Sequence, residues 1–213
     1  MEKKKKVDKT LILFFILAFT WALPTTFLGA LAALVLVIAG KRPKRFGPCW
    51  YFPTKQNYGL ELGLFFIAPE RGSYKLKCHE VGHQLQACFL FGPLTPFIAF
   101  IPSAVRFWLR EQKTQKDKRI YSSIVCGLPF ILFIMMIVLG SLFSILPLVI
   151  IGAFMSVYCL ILSAWLFFVE IPQYEVIPYP TYDDFIIEFD ASNRGLEFIG
   201  KHFPDEITKI KIW

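Results

Sequence analysis

The sequence predicts a mainly α, multi-pass helical membrane protein, with a metal site at the membrane surface and a short β segment ahead of the metal-binding helix. Three observations predict it. Hydrophobic residues make up 55% of the 213 and charged residues only 18%, with a mean hydropathy of +0.53, a balance typical of membrane rather than water-facing chains. Apolar runs at 11–40 and 120–170 reach spanning length. Between them, His79-Glu80-Val81-Gly82-His83 sets two imidazoles four residues apart, on one face of a helix.

The net charge of +7 sits in patches that flank apolar runs. No nucleic-acid recognition motif accompanies them, so the expected basic contact is anionic lipid, with the bilayer as partner. The five cysteines are odd in number and show no CxxC spacing. That argues against a disulfide framework or a structural zinc knuckle.

Four segments follow. Residues 1–45 form an N-terminal membrane segment with basic flanks at Lys3–Lys6 and Lys41–Arg45. Its apolar run is too long for a signal peptide and is interrupted by Pro24, so it reads as a kinked span or a re-entrant hairpin. Residues 46–119 carry the histidines: a strand-like stretch at 58–68, a turn at 69–72, then a helix from Tyr74, capped by Ser73 and ended by Gly92-Pro93. Residues 94–109, broken by Pro96 and Pro102, are expected to lie at the interface or to be shallowly re-entrant. The basic loop of Arg106, Arg110, Lys113, Lys116, Lys118 and Arg119 comes next. Residues 120–170 are long enough for a two-span hairpin. Residues 171–213 form a tail: a linker to Pro180, then a helix from 183 to 199, with Thr181 as cap and Asp183 and Asp184 at its positive end.

Two histidines and an acid are half of a catalytic zinc site, which takes three protein ligands and keeps a fourth position open. An even number of crossings brings the carboxylate-rich tail to the side of the histidines. Within the tail, Ala191, Ser192 and Gly195 form a small-residue strip on the face of Glu188, and Gly82 would let such a helix approach closely. On these grounds Glu188 as a metal ligand and Glu188 as a solvated charge stand equal.

His79-Glu80-Val81-Gly82-His83-Gln84-Leu85-Gln86, with Glu188-Phe189-Asp190-Ala191 far downstream, resembles the bacterial membrane zinc peptidases of gluzincin type, which carry HExGHxxQ on one helix and ExxA on a later one. Gly59–Gly63 and the segment from Gly92 through Ala104 also resemble uncharacterised membrane proteins sharing the motif. The resemblance implies a zincin-like site in which His79, His83 and Glu188 bind Zn²⁺ and Glu80 is catalytic. Gluzincins often place an aspartate four residues after the ligand glutamate to orient a zinc histidine. Here that position is Ser192, which accepts a hydrogen bond but brings no charge. Asp184 and Asp190 are candidates to replace it, and His202 is a candidate oxyanion stabiliser. A site-2 protease is disfavoured, since no downstream Asn-Pro or Leu-Asp-Gly element supplies its third ligand.

The expected function is therefore a membrane-embedded, zinc-dependent metallopeptidase acting on a peptide or membrane-protein substrate. The site is expected at the cytoplasmic face of a bacterial cytoplasmic membrane. The alternative is a non-catalytic membrane protein that keeps the fold for binding or assembly.

Overall fold

Along the helices at 23–38, 115–142 and 146–165, mostly small side chains face inward and large apolar ones outward, the reverse of a water-soluble fold. A computed structural model describes residues 8–55, 58–70, 74–176 and 185–208. The chain is mainly helical and forms two compact units, Met1–Ala99 with Asp183–Trp213, and Phe100–Tyr182. The first unit thus unites the N-terminal segment, the histidine helix and the tail helix, which the sequence places in three different segments.

In the first unit, α1 (Lys9–Ala18) is capped by the Asp8 carboxylate, which accepts from the N–H groups of Thr10 and Leu11. Helix α2 (Leu23–Ile38) follows at an angle of 77°. Pro24 lies in its first turn, where a missing N–H breaks no intrahelical bond. A bend this sharp makes the segment a broken span or a re-entrant loop, and excludes one straight helix. On α2 the buried face is Thr25, Thr26, Gly29 and Ala33, while Phe27, Leu28, Leu31, Leu34 and Val35 stay exposed.

The strand-like stretch is larger than the sequence suggests. Residues 44–69 build a four-stranded sheet ordered β1-β2-β4-β3, from β1 (Lys44–Phe46), β2 (Cys49–Thr54), β3 (Leu60–Leu62) and β4 (Phe65–Pro69). β2 and β4 run parallel, with Trp50 opposite Phe65, and the outer pairs are antiparallel. Basic and aromatic composition at 44–52 hides two short strands whose turn is made at Gly47, with φ of +55°. β3 is a sheet edge. Gly29 of α2 rests on the Leu62 carbonyl, where a Cβ would stand 1.7 Å from the oxygen.

Helix α3 (Tyr74–Gln86) continues as a π-helical turn, Ala87–Phe91, and stops at Gly92 in the left-handed region, as Gly-Pro predicts. The proposed cap Ser73 lies outside the described residues. Helix α8 (Ile186–His202) buries one stripe at helical spacing, with Ala191 and Gly195 against α3, Phe198 against Phe14 and Ile199 beside Gly47, and Glu188 in the same stripe. It begins at Phe185 with no side-chain cap. Thr181, Asp183 and Asp184 lie outside the described residues. A short helix, α9 (Pro204–Thr208), follows.

The second unit contains α4 (Ile101–Arg110), α5 (Gln115–Leu142), α6 (Leu146–Trp165), a π-helical turn at Leu166–Glu170 and α7 (Ile171–Val176). The first six residues of the expected linker are thus helical. Among the described residues, Gln115–Leu142 and Leu146–Val176 are long and apolar enough to cross a membrane. The count rises to four if each of two bent helix pairs is one span. α5 and α6 pack through Ser122, Cys126, Gly140, Gly152, Ser156 and Cys159, and expose Ile124, Leu128, Ile131, Leu132, Ile150, Phe154 and Val157. Two residues of the expected basic loop are not surface charges. Buried Arg106 donates to Glu170 at 2.6 Å, and buried Lys118 donates to the Leu109 carbonyl at 3.1 Å and lies over the Tyr174 ring.

Candidate metal centre

The site begins with a helix crossing that only glycine permits. A Cβ on Gly82 would lie 1.8 Å from the Ala191 carbonyl oxygen, and one on Gly195 would lie 1.8 Å from the Cys78 carbonyl oxygen. Backbone therefore meets backbone, and side chains flanking the contact converge at short range.

His79, His83 and Glu188 converge there. Glu188 Oε2 is 3.0 Å from His79 Nε2 and 3.2 Å from His83 Nε2, and the two nitrogens are 3.1 Å apart. Zinc bonds of about 2.0–2.1 Å at tetrahedral angles hold ligand atoms about 3.3 Å apart. The triangle matches to within a few tenths of an ångström. Glu188 is fully buried, and the histidines nearly so.

The opposite ring nitrogens decide what the triangle offers. His79 Nδ1 lies 2.8 Å from Ser192 Oγ, and His83 Nδ1 lies 3.0 Å from Gln86 Oε1. Gln86 has only one way to face. Its Nε2 donates to the Ile187 carbonyl and to Asp190 Oδ2, both at 2.8 Å, so its oxygen must accept from His83 Nδ1–H. The proton at Nδ1 leaves Nε2 with a lone pair aimed at its partners, the tautomer a metal needs. The same cluster attracts a proton: burial opposes charge on His83, yet the hydrogen bond and charge of Glu188 outweigh it and push the imidazole up to about 9.

Glu80 is buried beside the triangle, its carboxylate resting on Gly59, where a Cβ would stand 2.0 Å from Oε1. Burial raises its carboxyl above the usual range, His79 and His83 draw it down, and Glu188 pushes it up. Ser192 stands against His79, as its place four residues after Glu188 predicts. Asp190 touches neither histidine: it binds Gln86 and pairs with Arg194 at 2.6 Å. Burial would raise the Asp190 carboxyl, but the bonds from Arg194 and Gln86 prevail and hold it low. Asp184 lies outside the described residues.

His202 is not part of the site. It sits near the C-terminal end of α8, about 21 Å along the axis from Glu188 at 1.5 Å per residue, and pairs with Asp8, the cap of α1. At that distance it is out of reach of an oxyanion formed beside Glu188.

Three residues join the site without a role predicted from the sequence. Gln86 lies three residues after His83 and seven after His79, on their helical face, and that spacing was the available signal. Glu61 is the one acid in β3. Burial pushes its carboxyl up to about 8, while His83 draws it down and Glu80 pushes it up. Turned so that its nitrogen faces the strand, the Gln84 amide donates to Glu61 Oε1 at 2.9 Å and to the Gly63 carbonyl at 3.2 Å. No protein-family profile, curated protein or solved structure matches the chain, so the functional reading rests on this geometry and on the sequence motif.

Proposed function

We propose that the chain is a membrane-integrated, zinc-dependent metallopeptidase with a zincin-like centre held by His79, His83 and Glu188. One observation carries the reading: two imidazole nitrogens and a carboxylate oxygen form a triangle of metal-ligand size, with a buried carboxylate, Glu80, beside it. Three polar atoms this close in a buried site hold together only with a proton or a metal cation among them, and two histidines with a carboxylate suit a metal. Two histidines and one carboxylate, with a fourth position open, are a donor set of catalytic zinc sites.

Zinc bound there would polarise a peptide carbonyl and make water a stronger nucleophile at neutral pH. Glu80, its carboxyl raised by burial, takes the proton from the attacking water and passes it to the leaving amine. Gly59 leaves the room in which the Glu80 carboxylate sits. β3 is a sheet edge, the kind of strand with which an extended peptide pairs. The substrate class is a peptide or a membrane-protein segment. The exposed Lys113, Lys116 and Arg119 favour a cytoplasmic location for the end of α5 that they flank.

The reading is tested by cleavage of an unfolded protein substrate in detergent. Glu80→Gln keeps shape and metal but loses the base, so the rate should fall about 10²–10⁴-fold at unchanged zinc content. A Glu80→Gln protein that cleaves like wild type would remove Glu80 from the chemistry.

A further inference from the structure

Gln86 reaches the metal site from behind. Its side chain is buried on α3, and its amide bridges two helices: Oε1 accepts from His83 Nδ1–H at 3.0 Å, while Nε2 donates to the Ile187 carbonyl and to Asp190 Oδ2 on α8, each at 2.8 Å. Ile187 and Asp190 flank Glu188. Arg194, one turn on, holds Asp190 at 2.6 Å, so that Asp190 faces Gln86 as an acceptor. Thus the amide that fixes the ring of one ligand is itself fixed by the helix turn that bears another.

We propose that Gln86 is a positioning residue that locks His83 in the metal-binding tautomer and couples that lock to the docking of the Glu188 turn. The inference rests on the metal-site reading above. An amide is suited to this place because it accepts on one side and donates on the other. A carboxylate would accept from His83 equally well but would face Asp190 and the Ile187 carbonyl with no proton to give.

The test measures zinc affinity by chelator competition on the full chain in detergent, with ¹⁵N-histidine NMR on the same samples. Gln86→Leu should weaken zinc binding about 10–100-fold. Gln86→Glu should weaken it too, through repulsion with Asp190. Adding Asp190→Asn, whose amide donates to the introduced carboxylate, should restore affinity to near that of wild type. The NMR should show His83 protonated at Nδ1 in wild type, with that preference lost in Gln86→Leu. A Gln86→Leu protein binding zinc like wild type, or no rescue in the double variant, overturns the proposal. A wild type that binds no zinc sinks the metal-site reading instead. In that case the tautomer preference, read at a pH high enough to leave the ring neutral, still decides whether Gln86 locks His83.

Discussion

His79 and His83 each hold one ring nitrogen against a protein partner and turn the other toward Glu188, and the two partners differ in kind. Gln86 is itself anchored by Ile187 and Asp190, whereas Ser192 is a neutral hydroxyl. Ser192→Ala should weaken zinc affinity about tenfold, at the low end of what loss of such a partner does, in chelator competition. Ser192→Asp, which puts a charged acceptor in place of a neutral one, should strengthen it. Glu61 gives a pH-dependent prediction. Its carboxyl stands at about 8 when folded against 4.5 for the free side chain. Between those values the folded chain holds a proton that the unfolded chain has lost, so this group leaves stability intact below about pH 4.5 and erodes it as pH rises toward 8. In metal-stripped protein, Glu61→Gln should flatten that decline and gain about 1–2 kcal/mol near pH 8, allowing for partial exposure. Denaturant melts at several pH values check it.

At the scale of elements, the α3–α8 crossing is what makes a site out of distant residues. The small-residue strip Ala191, Ser192, Gly195 and its partner Gly82 were readable in the sequence, because close backbone approach requires missing side chains. The role of Gln86 was not, because an amide shows its partners only when the second helix is in place. The sheet was also largely hidden: strands of three to six residues made of Lys, Arg, Trp and Phe carry no clean alternation, and only long-range pairing defines them. His202 misled for a related reason, since a lone histidine in a chain with few looks available until its distance along α8 is known. Gly195→Ala should push α8 off the Cys78 carbonyl, costing about 1–3 kcal/mol. Because Glu188 rides on the same helix, zinc affinity should fall with stability. Thermal unfolding with and without added zinc reads both.

At the scale of the whole molecule, the membrane class and the two spans within 120–170 were legible from composition and run length, since a bilayer sets element lengths. What composition could not show was that Arg106 and Lys118 leave the basic loop for the interior of the second unit. There Glu170 accepts from Arg106, and the Leu109 carbonyl accepts from Lys118. Glu170→Ala leaves the Arg106 charge buried without that carboxylate, at a cost of about 3–5 kcal/mol. Pairing it with Arg106→Met should recover most of the loss in detergent melts. The variant should not change zinc affinity, since the His79–His83–Glu188 triangle and the ion pair belong to different compact units.

Metal content per chain is the measurement closest to the central claim. Wild-type protein purified without chelator should carry about one zinc per chain, His79→Ala/His83→Ala should carry none, and Glu188→Ala should hold it far more weakly. Wild-type protein with no zinc, and no uptake when zinc is supplied, would contradict the account.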